Sequence, residues 1–222
     1  LLKENYFPEP LPYDPEFKKA REIKIAFKWD KLARRVRVKE FEKLTHVNYI
    51  DHLAFPSRKF CYELINEIKK GFDEGEIDKQ AEWFGFQYRN ELLQGKVADV
   101  SIRFIHDRIG FGVFADSPLK PGEFIGEYVG MILKVSRYFS SYINPYCFRY
   151  PLNKKLFNYT IDAESFANEV SFINHSKSPN AESIITLNHH LLHIVIRAIR
   201  PIETGEEITF DYGNDFLDDS LR

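Results

Sequence analysis

A chain of 222 residues, 44% hydrophobic and 15% aromatic, carries enough apolar mass for one large domain, or for a domain with an appendage. Its formal net charge of −2, with a pI near 6.4, argues against a whole-domain electrostatic grip on nucleic acid, and it is compatible with a local acidic rim that attracts a basic peptide. No run approaches the roughly 18 apolar residues of a membrane span, and two cysteines, Cys61 and Cys147, are too few for a structural zinc site or a disulfide framework, so a soluble protein of a reducing compartment is expected.

The opening Leu-Leu-Lys-Glu-Asn-Tyr lacks the basic start and apolar run of a secretory signal. Residues 1–20 carry Pro8, Pro10, Pro12 and Pro15, which fix φ and remove donors, so they read as an extended arm. Residues 21–97 read as a helical N-terminal region packed against the remainder of the chain. Within it Arg35-Val36-Arg37-Val38-Lys39 alternates like a strand with a basic face, which is either a solvated outer surface or a nucleic-acid or import patch. Ser57 is placed to cap a helix whose apolar stripe is Phe60, Cys61, Leu64, Ile65 and Ile68, with Lys69-Lys70-Gly71 as its stop. A second helix is expected from Asp73 to about Asn90, with Ile77, Ala81 and Phe84 inward and Gly95 beyond it.

After Lys96 the pattern shortens. Strands are expected at Val100–Ile105, Gly112–Ala115, Glu123–Leu133, Tyr146–Tyr150, Phe157–Asp162, Leu191–Ile199 and Glu207–Phe210, with a helix at Ile132–Ile143 ended before Pro145. Many short strands between turns imply small curled sheets, not a doubly wound parallel one.

Five groups of residues bear on chemistry. Gly110-Phe111-Gly112 is either a hairpin glycine pair or backbone that must lie close to a ligand, and no third glycine opens a helix as a dinucleotide fingerprint requires. His189, His190 and His193 cluster, but on a strand residues four apart lie about 13 Å apart at ~3.3 Å per residue, so a hairpin turn accounts for them better than a metal does. Ser176, His175 and Asp211 supply hydrolase residue types without a Gly-x-Ser-x-Gly elbow. Phe172-Ile173-Asn174-His175-Ser176 carries an amide, an imidazole and a hydroxyl behind an apolar triplet, so these polar groups are either satisfied structure or a site. Tyr128, Tyr146 and Tyr212 sit in or at the ends of strand-like runs, where a ring can serve the core or hold a cation.

Read in order, Gly110-Phe111-Gly112, Glu127-Tyr128-Val129-Gly130, Tyr146-Cys147-Phe148, Ile161-Asp162-Ala163, Asn174-His175-Ser176 with Pro179-Asn180, and Gly205-Glu206-Glu207 leading to Phe210-Asp211-Tyr212-Gly213 form a set that resembles the SET-domain protein lysine methyltransferases. The likeness spans about Val100 to Phe216. The Tyr146–Pro151 run and the lack of cysteine clusters look most like the compact, chlamydia-type bacterial form without zinc-binding cysteines flanking the domain.

The resemblance implies an α+β SET-type fold, with small curled β-sheets around a threaded, pseudoknot-like crossing of the Asn174 and Tyr212 segments. It would occupy 98–216, followed by a tail at 217–222. It implies S-adenosyl-L-methionine as cofactor, released as S-adenosyl-L-homocysteine, against backbone at Phe111 and Gly112, with Tyr146, Asn174 and His175 completing the pocket and Phe216 over the adenine. It implies Tyr212 as the catalytic tyrosine, Tyr128 beside it lining the lysine channel, and Phe210 as the residue setting methylation degree, with room for two or three methyls. The implied substrate is a basic protein or peptide, a histone or a bacterial histone-like protein, met in a host nucleus or in bacterial cytoplasm. No membrane, no direct nucleic-acid contact and no metal are expected. Ser171 and Lys177 depart from the arginine and cysteine common at those positions in relatives, and no cysteine-rich tail follows. Channel closure would then fall to Phe216-Leu217, the N-terminal helices or a second copy in a homodimer. The competing class is a non-catalytic SET-like module that binds peptide without turnover.

Overall fold

The structure, a computed structural model, describes residues 21–30, 32–136, 144–153 and 157–213. Region 21–97, expected to be helical, begins as a hairpin of β1 (Glu22–Ala26) and β2 (Arg34–Arg37), followed by helix α1 (Val38–Thr45) and the short strand β3 (Asn48–Tyr49). Ile23, Ile25 and Val36 alternate inward and meet Val38, Phe41, Tyr49 and Ile102 in one buried cluster. That alternation lets β1 add to β4 (Val100–His106) in parallel, with Ile25 opposite Ile102. The hairpin is thereby the outer edge of a six-stranded sheet ordered β11 (Asn174–His175), β14 (Glu207–Phe210), β5 (Gly110–Ala115), β4, β1, β2, while β3 pairs with β10 (Phe166–Ala167).

Helix α2 (Arg58–Asp73) is capped as expected, the Ser57 side chain accepting the Phe60 N–H at 3.1 Å. Cys61, Leu64, Ile65 and Ile68 are buried along one face. The helix runs past the expected stop. Gly71 stays helical with Leu152 packed beside it, and the turn comes at Gly75, whose φ is +74°. The expected helix 73–90 is two short ones, α3 (Gln80–Gln87) and α4 (Arg89–Leu93), broken at Tyr88, whose hydroxyl donates to the Gly122 carbonyl at 2.7 Å.

The catalytic-type motifs lie on β5 (Gly110–Ala115), β6 (Phe124–Glu127), β11 (Asn174–His175) and β14 (Glu207–Phe210). The expected strand 123–133 divides at 128–130. β6 pairs with β13 (Leu191–Ala198), and the chain then changes partner: β7 (Met131–Ser136) pairs with β9 (Phe157–Asp162), which also holds β8 (Cys147–Asn153). Gly130 permits the change, since a Cβ there would stand 2.4 Å from the Asp162 carbonyl oxygen. The expected helix at Ile132–Ile143 is wrong over 132–136, where a continuous register from Met131–Asp162 to Ser136–Phe157 overrides local helical preference; residues 137–143 lie outside the described ones. A strand not foreseen, β12 (Ala181–Asn188), pairs with β13 along its whole length. His189 and His190, with φ of 46° and 66°, form the two-residue turn between them.

The described residues thus form a mixed α+β fold of small sheets. No helix among them is long and apolar enough to cross a membrane.

Candidate active site

Two segments far apart in sequence meet at the edge of the six-stranded sheet. β11 lies parallel to β14, with Asn174 opposite Thr209 and His175 opposite Phe210. Backbone bonds continue the pairing: Ser176 N–H donates to Phe210 O at 3.1 Å and Asn180 N–H to Thr209 O at 3.2 Å. The buried Asn180 side chain donates to Glu207 O at 2.8 Å and to the Glu206 carboxylate at 3.0 Å, and it accepts the Thr209 N–H at 2.8 Å. Asn180 is therefore a pin, placed by the Pro179-Asn180 step beside the junction.

Tyr212 closes the junction. Its hydroxyl donates to the Ile173 carbonyl and its N–H donates to His175 Nδ1 at 3.2 Å. The ring lies 4.7 Å from Phe210 and 5.5 Å from His175. Phe210, 2% exposed, stacks on Phe148 at 6.3 Å, and Phe148 in turn meets Tyr128 at 5.2 Å. The Tyr128 hydroxyl donates to the Tyr146 carbonyl at 2.7 Å. Tyr128, Phe148, Phe210 and Tyr212 form a continuous aromatic wall. Phe148 is the member to which the sequence reading gives no role, although it stands in the Tyr146-Cys147-Phe148 motif. Burial pushes both phenols up. For Tyr128 the neighbouring Tyr212, Cys147 and Asp162 add to it, and for Tyr212 Tyr146 and Glu207 do. Near neutral pH both are uncharged hydroxyls, able to donate and accept but not to act as phenolate bases.

Beside that wall is a place cut to the size of a glycine. At Gly112 a Cβ would come within 2.7 Å of Glu207 Oε1 and Ile105 Cδ1, and within 2.9 Å of Asn174 Nδ2. Asn174 Nδ2 donates to Phe111 O at 3.1 Å and to Glu207 Oε1 at 2.9 Å, so both amide hydrogens are spent on the protein and the carbonyl end remains for a ligand. His175 is the reverse case. Its Nδ1 accepts the Tyr212 N–H, which puts the proton of a neutral ring on Nε2, and Nε2 is buried with no partner among the described residues. A buried donor left open is costly, about 1–3 kcal/mol, unless a ligand takes it. Protein packing accounts for the glycine at 112; the open His175 donor is the feature that fits a polar cofactor, and S-adenosylmethionine is consistent with it.

The other residues singled out in the sequence are placed less centrally. The Phe111 ring points into a cluster with Phe27, Phe104 and Phe172, so only its backbone serves the site. Tyr146 is half exposed at 48%, its carbonyl engaged by Tyr128. Phe216 lies outside the described residues. Ser176 accepts the Ser178 N–H in a local turn, while Asp211 Oδ1 stands 3.6 Å from His175 Nδ1, which is already taken by the Tyr212 N–H, so no hydrolase relay is assembled. Among the described residues no cluster of three His, Cys, Asp or Glu is arranged to hold a metal ion.

A model of the SET-domain family matches residues 110–213. Histone-lysine N-methyltransferase Set8 of Drosophila melanogaster is 35% identical over 171 residues, 72% of this chain and 22% of that protein. Su(var)3-9, a histone-lysine N-methyltransferase of Drosophila pseudoobscura pseudoobscura, is 39% identical over 114 residues, 46% of this chain and 18% of that protein. The chain thus spans about a fifth of the length of these curated relatives. In structure it is similar to ATXR5 solved in complex with a histone H3.1, with a TM-score of 0.61, 21% identity, and coverage of 80% of this chain and 86% of that one. At that identity the likeness speaks for the fold.

Proposed function

Residues 110–213 are a SET domain, and from that premise we propose that the chain is an S-adenosylmethionine-dependent protein lysine N-methyltransferase acting on histones or histone-like basic proteins. The observation that carries this reading is the adjacency of two features: an uncharged Tyr212 hydroxyl held on Ile173 O within an aromatic wall, and the buried His175 Nε2, without a partner among the described residues. The first suits a lysine stem and its terminal amine, the second a polar cofactor. Set8 and Su(var)3-9 are named as histone-lysine methyltransferases, and ATXR5 was solved with a histone, which supports a histone-type substrate.

Bound S-adenosylmethionine would supply an electrophilic methyl group on a sulfonium. Gly112, Asn174 and His175 would hold it, with backbone at Phe111 and Tyr146 and, in this reading, Phe216. The chain's part is positioning. Tyr128, Phe148 and Phe210 present ring faces that hold a lysine stem and its cation before deprotonation. Tyr212 and the carbonyls around it offer fixed dipoles to the amine as its charge changes, and the narrow wall limits its approach to one line. In this reading the SET unit occupies 98–216, and 21–97 complete its sheet. The narrower placement with the compact bacterial form draws its support from the Tyr146–Pro151 run and the two cysteines.

Phe210 stacked on Phe148 presents no hydrogen-bonding group on that wall, which supports di- and trimethylation. A hydroxyl introduced by Phe210→Tyr would hold a water or the amine itself and crowd further methyls. The expected result is a product shifted to monomethyl-lysine, read by mass spectrometry of a histone substrate; an unchanged product distribution counts against Phe210 as the determinant.

The second reading, a SET-like module that binds peptide without turnover, is favoured by the two Asn174 hydrogens already spent inside the protein. Incubation with histones and with basic bacterial proteins, read by mass spectrometry, tests the first reading. Calorimetric titration with S-adenosylmethionine separates the two: absence of binding at millimolar cofactor favours the module.

A further inference from the structure

Two histidines outside the site share an uncommon environment. His193 Nδ1 faces Glu127 Oε1 at 2.6 Å, and its Nε2 faces the Asn188 carbonyl at 3.2 Å. His52 Nδ1 faces Asp51 Oδ1 at 2.8 Å, and its Nε2 faces the Leu93 carbonyl at 3.3 Å. Every one of these partners is an acceptor when the carboxylates are ionised. A neutral imidazole has one N–H, so it would leave a nitrogen lone pair against an oxygen lone pair at each ring. Only the doubly protonated ring satisfies both sides.

The positions of the two rings give this a consequence for the site. Glu127 immediately precedes Tyr128, and the Tyr128 N–H donates to the carbonyl of Ile194, the residue after His193, at 2.8 Å. On the other flank Ala54 N–H donates to Gly130 O and Ile132 N–H donates to Ala54 O, both at 2.9 Å. His52 anchors that same 51–54 loop to the end of α4 through Leu93. The segment carrying Tyr128 is therefore held before it by His193 and after it by the loop that His52 fastens. Tyr128 turns at a place where the chain changes sheets; its ring is held by the hydroxyl bond to Tyr146 O and by Phe148, and its main chain by these two fastenings.

We propose that His193 and His52, each held doubly protonated between a carboxylate and a carbonyl, are positioning residues for Tyr128 and make the aromatic channel sensitive to pH. This rests on the reading of Tyr128 as lining a lysine channel. The groups around the two rings are Glu127 from β6, Asp51 from the 51–54 loop, His189 from the β12–β13 turn and the Tyr150 hydroxyl from β8, which accepts the Leu192 N–H at 3.0 Å. Burial and the charge of His52 work against charge on His193, and Glu127 and Asn188 outweigh them; at His52 burial is outweighed by Asp51, Glu127 and Leu93. Both rings thus titrate above the ordinary 6.5. A pKa raised on folding stabilises fully below 6.5, and that stabilisation is lost as pH climbs through the folded value.

The test compares wild type with Glu127→Gln, a near-isosteric neutral change, by nitrogen and ring-proton NMR between about pH 5.5 and 8.5. In wild type both nitrogens of His193 are expected to carry protons at neutral pH. Tyr128 ring signals are expected to shift at the midpoint of His193. In the variant that midpoint is expected to fall by at least about tenfold in proton concentration, one pH unit, with the Tyr128 shift following it down. A wild-type His193 with one bare nitrogen at neutral pH, or Tyr128 signals that ignore its titration, would overturn the inference. Because wild type alone carries both readings, a misfolded variant does not remove the test. Coupled titration in a chain that methylates no basic protein would uphold the pairing and sink the methyltransferase reading instead.

Discussion

Tyr212→Phe is expected to lower methyl transfer to a basic protein by about two to three orders of magnitude, the size seen when one preorganised hydroxyl or amide dipole is removed from an active site. The change deletes one oxygen and keeps the ring, so the contacts with Phe210 at 4.7 Å and His175 at 5.5 Å survive. The Ile173 carbonyl loses its donor, at a cost of about 1–3 kcal/mol that a 222-residue fold tolerates. The effect should lie in kcat, since Tyr212 N–H, not its hydroxyl, sets the His175 tautomer facing the cofactor pocket. Cofactor affinity, measured by calorimetry, is expected to stay within about threefold, or ~0.7 kcal/mol. The pH profile discriminates further. With the phenol pushed up by burial, Tyr212 has no ionisation to contribute near neutrality. A parent enzyme and a Tyr212→Phe variant of equal rate would show that this hydroxyl does no chemistry.

The strands that carry motifs were legible because their patterns are local. Phe157–Asp162 and Glu207–Phe210 fall where alternation and the flanking turns put them. What could not be read was whatever depends on a distant partner. β12 alternates weakly, Ala-Glu-Ser-Ile-Ile-Thr-Leu-Asn, and becomes a strand because β13 supplies eight opposed residues. β2 is a strand because β1 pairs with it and β1 has β4 beyond. The expected helix lost over 132–136 to five consecutive cross-strand pairs with β9. The site divides the same way. Tyr212, Phe210 and Tyr128 could be named from the ordered motif set, and the structure brings them onto one wall. Phe148 joins that wall only through ring contacts between different sheets. The Glu127–His193 contact joins residues 66 apart, and no local pattern signals it.

The polar cluster at Asn174–His175 shows why the choice between structure and site could not be made locally. The amide hydrogens of Asn174 are both spent on Phe111 and Glu207, which makes that end of it structure. His175 takes a bond from Tyr212 on one nitrogen and keeps the other open, which makes it both. The two residues are neighbours in the chain, but only the packing of β11 on β14 turns the amide of one onto protein and leaves a ring nitrogen of the other without a partner among the described residues.

That packing hangs on Asn180, and Asn180→Ala is expected to be the most damaging single change to stability at the site. The residue is 2% exposed and its side chain serves three partners. Truncation strands the Thr209 N–H and the Glu207 carbonyl, and each lost partner costs about 1–3 kcal/mol; counting two main-chain groups and a small cavity, the total is about 3–5 kcal/mol. For a chain of this length that is a fall in Tm on the order of 10 °C. The loss should be visible in denaturant midpoints as well as in heat. Asn180 touches neither the aromatic wall nor the glycine-lined place, so a purely global effect would leave activity intact at low temperature, where the fold is fully populated. The geometry of the junction predicts otherwise. Thr209 and Glu207 belong to β14, the strand that carries Phe210 and leads into Tyr212, so loosening their pin lets the wall shift against His175. Methyl transfer by the folded variant is therefore expected to fall by about tenfold or more, since small misplacements of aligned groups are costly. A variant melting within about 2 °C of the parent, or ~1 kcal/mol, would show that the strand pairing alone holds the two segments.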